Sequence, residues 1–188
     1  MKTWIIRGRN ASWRCRLALV CAALSTFALS HRALGQVSVT TEATLLDRIQ
    51  IEDLLIAYYQ PLGSGGADMT AFYPEDGVLD LNGRVYQGKA GVRQAYRDAA
   101  TAMGPSFKGK FHMLMNNPRI VVNGESATAD LIWTGVASES ATSQPHLVEQ
   151  GREHDDLVKL AGHWLLKKRV ITSDGGLPDF YAKTYRDR

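Results

Sequence analysis

The sequence is poor in cysteine, and the two cysteines that it has, Cys15 and Cys21, both lie within the first 35 residues. The rest of the chain can therefore form no internal disulfide and can offer no thiolate as a metal ligand or nucleophile. The sequence also lacks a phosphate-binding P-loop and the nucleophile-elbow motif of serine hydrolases. These absences exclude the commonest covalent and nucleotide-dependent chemistries.

The first 35 residues also contain no acidic residue, which indicates a targeting segment. Six basic residues accompany an apolar run over 17–29, shorter than the roughly 20 residues that a membrane-spanning helix needs. The small residues Ala33 and Gly35 suit a signal peptidase. We therefore predict a signal peptide, 1–35, that is cleaved before Gln36, which places the mature chain in the periplasm or outside the cell without stable membrane insertion. An uncleaved membrane anchor is the alternative.

Removal of this leader changes the charge of the protein. The whole chain has 22 basic and 19 acidic residues, and subtracting the six basic residues of the leader leaves 16 against 19, a net charge of −3. A mildly acidic domain has no basic surface for nucleic acid, so we expect no nucleic-acid partner. The mature chain, about 153 residues from 36 to 188, is long enough for one domain with its own core.

Helical periodicity dominates the first part of the mature chain. An amphipathic helix is predicted over Thr41–Tyr59: Leu45, Leu46 and Ile49 mark one stripe, and Ile51, Leu54, Leu55 and Tyr58 repeat at i, i+3, i+4 and i+7. A short helix is expected to end at Tyr73. A hairpin that turns on Asn82-Gly83 and a third helix over Lys89–Ala102 come next.

From Lys110 onward the period becomes that of extended strands. Four long strands are predicted over Lys110–Val122, Thr128–Ala137, Leu147–Leu160 and His163–Thr172. Helices followed by an antiparallel meander predict an α+β fold, in which a curved antiparallel sheet forms a cone and the N-terminal helices cover its apolar face. Such a cone has a natural cavity.

Several local sequences resemble the SnoaL-like branch of the NTF2-like superfamily, the cone-shaped α+β barrels. The clearest are FHMLMNNPRI (111–120) followed by NGESA (123–127), and then GREHD (151–155) and GHW (162–164) followed by Arg169. The resemblance covers nearly all of the mature chain. It implies an apolar cone with one or two acid–base groups at its base, as in scytalone dehydratase, polyketide cyclases and steroid isomerases, although other members of the family only bind.

The resemblance places His112 on the pocket side of the first long strand, where related dehydratases keep an acid–base histidine. An imidazole can exchange protons near neutral pH without a large change in pKa. A hydrogen-bonded core histidine without turnover is the alternative. The aspartate that the family carries after its first helix is missing from the stretch 59–63, and Ala137 lies near the place of a second family histidine.

Glu153 lies where the dehydratase has a pocket asparagine, so the carboxylate of the site is expected on a different strand. Strand alternation puts Glu149, Gly151, Glu153 and Asp155 on one face. A buried Glu153 could orient His112 or act as the base itself. The alternative is a solvated strand on which Glu153 pairs with an arginine. Tyr59, or its neighbour Tyr58, could polarise a substrate oxygen.

Aromatic and sulfur-containing side chains supply the apolar surface that a small-molecule pocket needs. The candidate substrate-binding residues are Tyr58, Phe72, Tyr86, Met113, Met115 and Trp133. Each would serve equally well in the core. The histidines of the mature chain show no regular metal-ligand spacing, so no metal and no cofactor are expected.

Together these features predict an exported lyase or isomerase, first of all a cofactor-independent dehydratase, whose substrate is a small, apolar, cyclic or aromatic compound bearing oxygen. His112, Glu153 and Tyr59 are its candidate catalytic residues. The alternative is a periplasmic binding or accessory protein that holds a hydrophobic molecule unchanged. The open face of the sheet is compatible with a homodimer or homotrimer.

Overall fold

The computed structural model of the chain describes residues 40–62, 68–103 and 109–186. The predicted signal peptide lies outside these residues.

Two helices form the N-terminal half, as the periodicity predicts. A 3₁₀ turn, Glu42–Thr44, leads into α1, Leu45–Tyr59, and a second 3₁₀ turn, Met69–Phe72, precedes the hairpin. Helix α2 is Gly88–Met103. The predicted apolar stripe of α1 is wrong at its first turns, because Leu45, Leu46 and Ile49 are exposed and the buried face consists of Ile51, Leu55, Tyr58 and Tyr59.

Six strands form one open, curved sheet. Their bounds are β1 Val78–Leu81, β2 Arg84–Gln87, β3 Lys110–Asn123, β4 Ser126–Ser138, β5 His146–Leu160 and β6 His163–Gly175. The order across the sheet is β2-β1-β6-β5-β4-β3. The pairing is antiparallel except between β1 and β6, which are parallel. The predicted α+β fold with a curved sheet is therefore confirmed, with one parallel pair that the sequence does not reveal.

The predicted tight turns join these strands. Asn82 and Gly83 both have positive φ angles, 56° and 83°, as the hairpin turn between β1 and β2 requires. Ala161 and Gly162, with φ angles of 50° and 83°, make the corresponding turn between β5 and β6. These turns fix the register of the paired strands and with it the face that each side chain occupies.

Strand β3 contains a bulge that changes which of its residues lie on the inner face of the sheet. From Asn116 to Arg119 it has one more residue than the facing stretch of β4, and Asn117 adopts a left-handed backbone with φ 51°. Before the bulge the odd-numbered residues face the helices, as Met113 does; beyond it the even-numbered residues do, as Ile120 does. The extra residue therefore decides which side chains of β3 can reach the interior.

The core lies between the concave face of the sheet and the helices. Helix α1 packs against β3 and β6, and α2 packs against β1 and β2. At the N-terminal end of α1, Asp47 accepts hydrogen bonds from Lys159 Nζ at 2.6 Å and Trp164 Nε1 at 3.0 Å. These hydrogen bonds fix the helix to β5 and β6. Within the described residues there is no helix that is both long and apolar enough to cross a membrane.

Candidate active site

A cavity of about 450 Å³ opens between the two helices and the concave face of the sheet. Its volume is in the range of small-molecule pockets in proteins. Most of its wall is apolar or aromatic, and it includes Met69 and Leu79 at one side and Phe111, Met113 and Trp133 at the other. A few polar groups interrupt this wall, and most of them lie together at its floor.

The floor of the cavity is a hydrogen-bonded group of Tyr59, Glu153 and Arg169. The hydroxyl of Tyr59 donates to Oε2 of Glu153 at 2.6 Å, and Arg169 Nη2 donates to the same oxygen in a close ion pair. The side chains of Arg169 and Glu153 are 1% and 0% exposed. Burial of a charge is unfavourable unless it is paired, so each residue of this ion pair requires the other.

Three elements bring this group together. Tyr59 is the last residue of α1, and the alternation of β5 directs Glu153 and Asp155 to the concave face. Arg169 lies directly opposite Asp155 on β6, and its guanidinium reaches towards Glu153 over the rings of Tyr58, at 3.8 Å, and Tyr59, at 5.1 Å. These cation–π contacts hold the guanidinium beside Glu153.

Asp155 is a second buried carboxyl group, next to the ion pair of the floor. Burial, together with the negative charge of Glu153, raises the pKa of Asp155 well above its ordinary value of 3.8, although Arg169 opposes the change. Burial, the largest single effect, lowers the pKa of Arg169, but the combined interactions with Glu153, Tyr58, Tyr59 and Asp155 outweigh it, so that the pKa is raised as well. Burial without a cation of its own therefore favours the neutral form of Asp155, while Arg169 pairs with Glu153.

The phenols of the floor remain protonated. Burial raises the pKa of Tyr58 to about 12, and burial with the charge of Glu153 raises the pKa of Tyr59 well above 10. Tyr58 shares hydrogen bonds with Tyr73, at 3.1 Å, and with Tyr96. The floor thus offers neutral hydroxyls and one guanidinium to a ligand oxygen, with one carboxylate beside them.

Five of the predicted site residues line the cavity. Glu153 and Tyr59 are in direct contact at its floor, Tyr58 lies beside them, and Met113 and Trp133 form part of the wall. The indole nitrogen of Trp133 donates to the backbone oxygen of Arg152 at 3.3 Å. The expected alternation of β5 is correct, and the alternative of a solvated Glu153 is wrong, although its predicted arginine partner exists.

The placement of His112 in the pocket is wrong. Its side chain is exposed and points away from the cavity, while its neighbours Phe111 and Met113 line the wall. The bulge at Asn117 is the reason: counted back from the buried Ile120 with strict alternation, His112 would face inward, and one extra residue turns it outward. His112 is therefore not available to orient Glu153 or to meet a ligand in this cavity.

Three further candidates lie in the core rather than in the cavity wall. Phe72 packs edge-on against Tyr58, with ring centroids 5.1 Å apart, and Tyr86 donates from its hydroxyl to Asp98 at 2.9 Å. Met115 lies opposite Trp133 and packs against the core cluster. These three side chains therefore serve the packing of the core, which is the alternative stated for them above.

Three further residues belong to the site, although this was not predicted from the sequence. Arg169 and Asp155 belong to the buried group, and Glu149 lines the cavity towards its open side. The signal that could have found Arg169 is the carboxylate of Glu153, because a buried carboxylate needs a cation within reach. Among the described residues no group of three or more histidine, cysteine, aspartate or glutamate side chains is arranged to hold a metal ion.

The open cone and the cavity inside it define a class of protein, the small α+β folds with a cystatin-like or NTF2-like architecture. Within this class the chain belongs to the family of the SnoaL-like domain, whose family model matches residues 43–170. This confirms the family that the local sequences indicate. Fold and family fit a small-molecule enzyme or a small-molecule binding protein.

Solved structures support the same architecture. A protein of unknown function with a cystatin-like fold from Nostoc punctiforme is 26% identical, with a TM-score of 0.60, over 72% of this chain and 96% of that chain. An NTF2-like protein from Novosphingobium aromaticivorans is 18% identical, with a TM-score of 0.60, over 77% and 92%. ActVI-ORFA from Streptomyces coelicolor is 19% identical, with a TM-score of 0.60, over 68% and 96%. Among curated proteins, none matches the chain significantly.

Proposed function

We propose that the mature chain is an exported lyase or isomerase that transfers protons, without a cofactor, on a small apolar ring compound bearing oxygen. The observation that supports this proposal is the carboxylate of Glu153 at the floor of an apolar cavity. Its Oε2 is held by Tyr59 and Arg169, whereas its Oε1 has no hydrogen-bond partner among the described residues. A carboxylate that is fixed at one oxygen and free at the other is suited to accept a proton.

Dehydration of a hydroxy ketone is the reaction that we favour. A C–H bond next to the substrate carbonyl breaks, its proton passes to Oε1 of Glu153, and its electron pair moves towards the carbonyl oxygen. Arg169 lines the cavity and stabilises the oxyanion; two of its nitrogens, Nε and Nη1, are buried and have no partner among the described residues. The β-hydroxyl then leaves with the proton of Glu153, which yields water and a carbon–carbon double bond and restores the carboxylate.

Retro-aldol cleavage and double-bond isomerisation use the same groups. Both reactions transfer a proton at the substrate and develop negative charge on its carbonyl oxygen, so that the roles of Glu153 and Arg169 do not change. The substrate decides which bond breaks after the first step.

A binding protein is the second candidate, and a specific observation favours it. His112, the acid–base group expected from the family, faces away from the cavity, and the remaining carboxylate is part of an ion pair. In this version Tyr59, Glu153 and Arg169 recognise the oxygen of a hydrophobic ligand and leave it unchanged.

A panel of cyclic and aromatic hydroxy ketones distinguishes the two candidates. With the wild-type protein, mass spectrometry should find a product lighter by one water, and Glu153→Gln should lower the rate about 10²- to 10⁴-fold, the usual contribution of a general base. Tyr59→Phe, which keeps the ion pair intact, should lower the rate as well. Exposed His112→Ala is the matched control and should keep the wild-type rate.

If mass spectrometry finds the ligand bound but unaltered, the protein is a binding protein and not an enzyme. If Glu153→Gln and Tyr59→Phe, both folded by circular dichroism, kept the rate of the wild type, the assignment of the proton transfer to Glu153 would be wrong.

Export depends on the predicted signal peptide. The intact mass of the protein from a secreting bacterial host should correspond to a chain that begins at Gln36. A chain that retains Met1 in the membrane fraction would contradict the export.

A further inference from the structure

A second polar group lies in the cavity, away from the floor. Glu149 is on the same strand and the same face as Glu153, four residues towards the open side, and Tyr181 lines the cavity from the C-terminal 3₁₀ turn, Asp179–Tyr181. At about 3.3 Å per residue, the Cα atoms of the two glutamates are roughly 13 Å apart along β5. The cavity therefore has two polar ends.

Glu149 is held by packing and not by a polar partner. A side chain on Gly135 of β4 would meet Cγ of Glu149 at 2.6 Å and the ring of Phe111 at 3.0 Å, so the stem of the glutamate lies in the space that this glycine leaves. No hydrogen bond joins its carboxyl group to another described residue. Burial raises the pKa of Glu149, as expected for a carboxyl group beside apolar walls.

Tyr181 has a hydroxyl without a partner. The residue is 3% exposed, and its Oη makes no hydrogen bond with any described residue. Phe180 packs on its ring at 5.0 Å and is itself covered by Arg84 at 4.1 Å, so that the turn is fixed. Burial is the main cause that raises the pKa of Tyr181, and the charge of Glu149 adds to it. Tyr181 and Glu149 line the same cavity.

A flat aromatic surface separates the two ends. The position between the glutamates is Gly151, and the indole of Trp133 lies 2.4 Å from the place where its Cβ would be. Because no side chain projects from β5 there, ring systems can lie across the indole.

We propose that Glu149 and Tyr181 bind a hydroxyl group of the ligand, and that the ligand is a flat ring compound with a carbonyl at the floor and a hydroxyl at the opposite end. A hydroxyl satisfies both residues at once, because it donates to the carboxyl group of Glu149 and accepts from the phenol of Tyr181. The inference rests on the proposed function in one respect, that the cavity holds a small ring compound.

Three probes that share one ring system test this proposal by isothermal titration calorimetry with the mature protein. They are acetylnaphthalene, its analogue with a hydroxyl on the far ring, and the methyl ether of that analogue, which cannot donate. The hydroxyl analogue should bind about tenfold more tightly than the other two, as expected for one added hydrogen bond to a charged group. In Glu149→Leu the ratio should fall to about one, and Tyr181→Phe should reduce it.

The controls separate this inference from the proposed function. Glu125→Gln changes an exposed glutamate in the turn between β3 and β4 and should keep the tenfold ratio. Equal binding of all three probes to the wild type, or an unchanged ratio in Glu149→Leu, would overturn the inference and leave the cavity as a site for ring compounds. If no probe binds to the wild type, the inference and the proposed cavity both fail.

Discussion

At the scale of single residues, the site depends on how one cation is shared between two buried carboxyl groups. Glu153 takes the guanidinium of Arg169, and the pKa of Asp155, which lies opposite Arg169 in the sheet, is raised by burial and by the charge of Glu153. Two buried carboxylates beside one guanidinium would leave an unpaired charge in the core. The protonation of Asp155 therefore stabilises the folded state.

This arrangement predicts how stability depends on pH. The pKa of Asp155 is raised in the folded state, so the folded protein binds more protons than the unfolded chain at any pH above its ordinary value of 3.8 and up to the raised pKa. Stability should accordingly fall as the pH rises above 3.8 towards the raised pKa of Asp155. In Asp155→Asn this fall should shrink, with the part due to Glu149 remaining.

Urea denaturation of the wild type and Asp155→Asn at several pH values measures this effect. Asp53→Asn, which changes an exposed aspartate of α1, is the matched control and should keep the wild-type slope. Equal slopes in wild type and Asp155→Asn would show that Asp155 is ionised in the folded protein.

At the scale of elements, the strands could be predicted well and the site only in part. The alternation of β5 correctly placed Glu153 on the inner face, because that strand keeps one parity from Gly151 to Leu157. His112 was misplaced because the bulge at Asn117 is a local backbone event, and no residue type in the run of 111–120 marks it unambiguously. The ion pair of Glu153 on β5 with Arg169 on β6 could not be predicted, because it depends on the register of the two strands, which neither strand reveals alone.

The element scale also predicts that Gly151 is indispensable to β5. A Cβ at this position would lie 2.3 Å from the backbone oxygen of Thr172 and 2.4 Å from the indole of Trp133. Gly151→Ala should therefore lower the free energy of unfolding by about 1–3 kcal/mol, the usual effect of overpacking. Thermal or urea denaturation measures the change.

Gly175→Ala is the matched control for this substitution. A Cβ on Gly175 would have nothing within 4 Å, so its effect should stay within about 0.5 kcal/mol. A Gly151→Ala variant as stable as Gly175→Ala would contradict the close packing of Trp133 on β5.

At the scale of the whole molecule, the fold is a cone whose apolar wall is filled by the helices at one end and left open as a cavity at the other. The order of helices and strands was sufficient to predict this architecture, since an antiparallel meander must cover one face. The chemistry was harder to predict because a fold of this kind carries many functions, and function depends on a few side chains inside the cone. Here those side chains are Tyr59, Glu153 and Arg169.

The central claim is that Glu153 exchanges protons with a ring compound in the cavity, and hydrogen–deuterium exchange tests it without knowledge of the natural substrate. The measurement is the loss of the NMR signal of the protons next to the carbonyl of α-tetralone in deuterated buffer. The account predicts exchange faster than in buffer with the wild type and with His112→Ala, and exchange at the buffer rate with Glu153→Gln. Exchange at the buffer rate with the wild type, or equally fast exchange with folded Glu153→Gln, would contradict it.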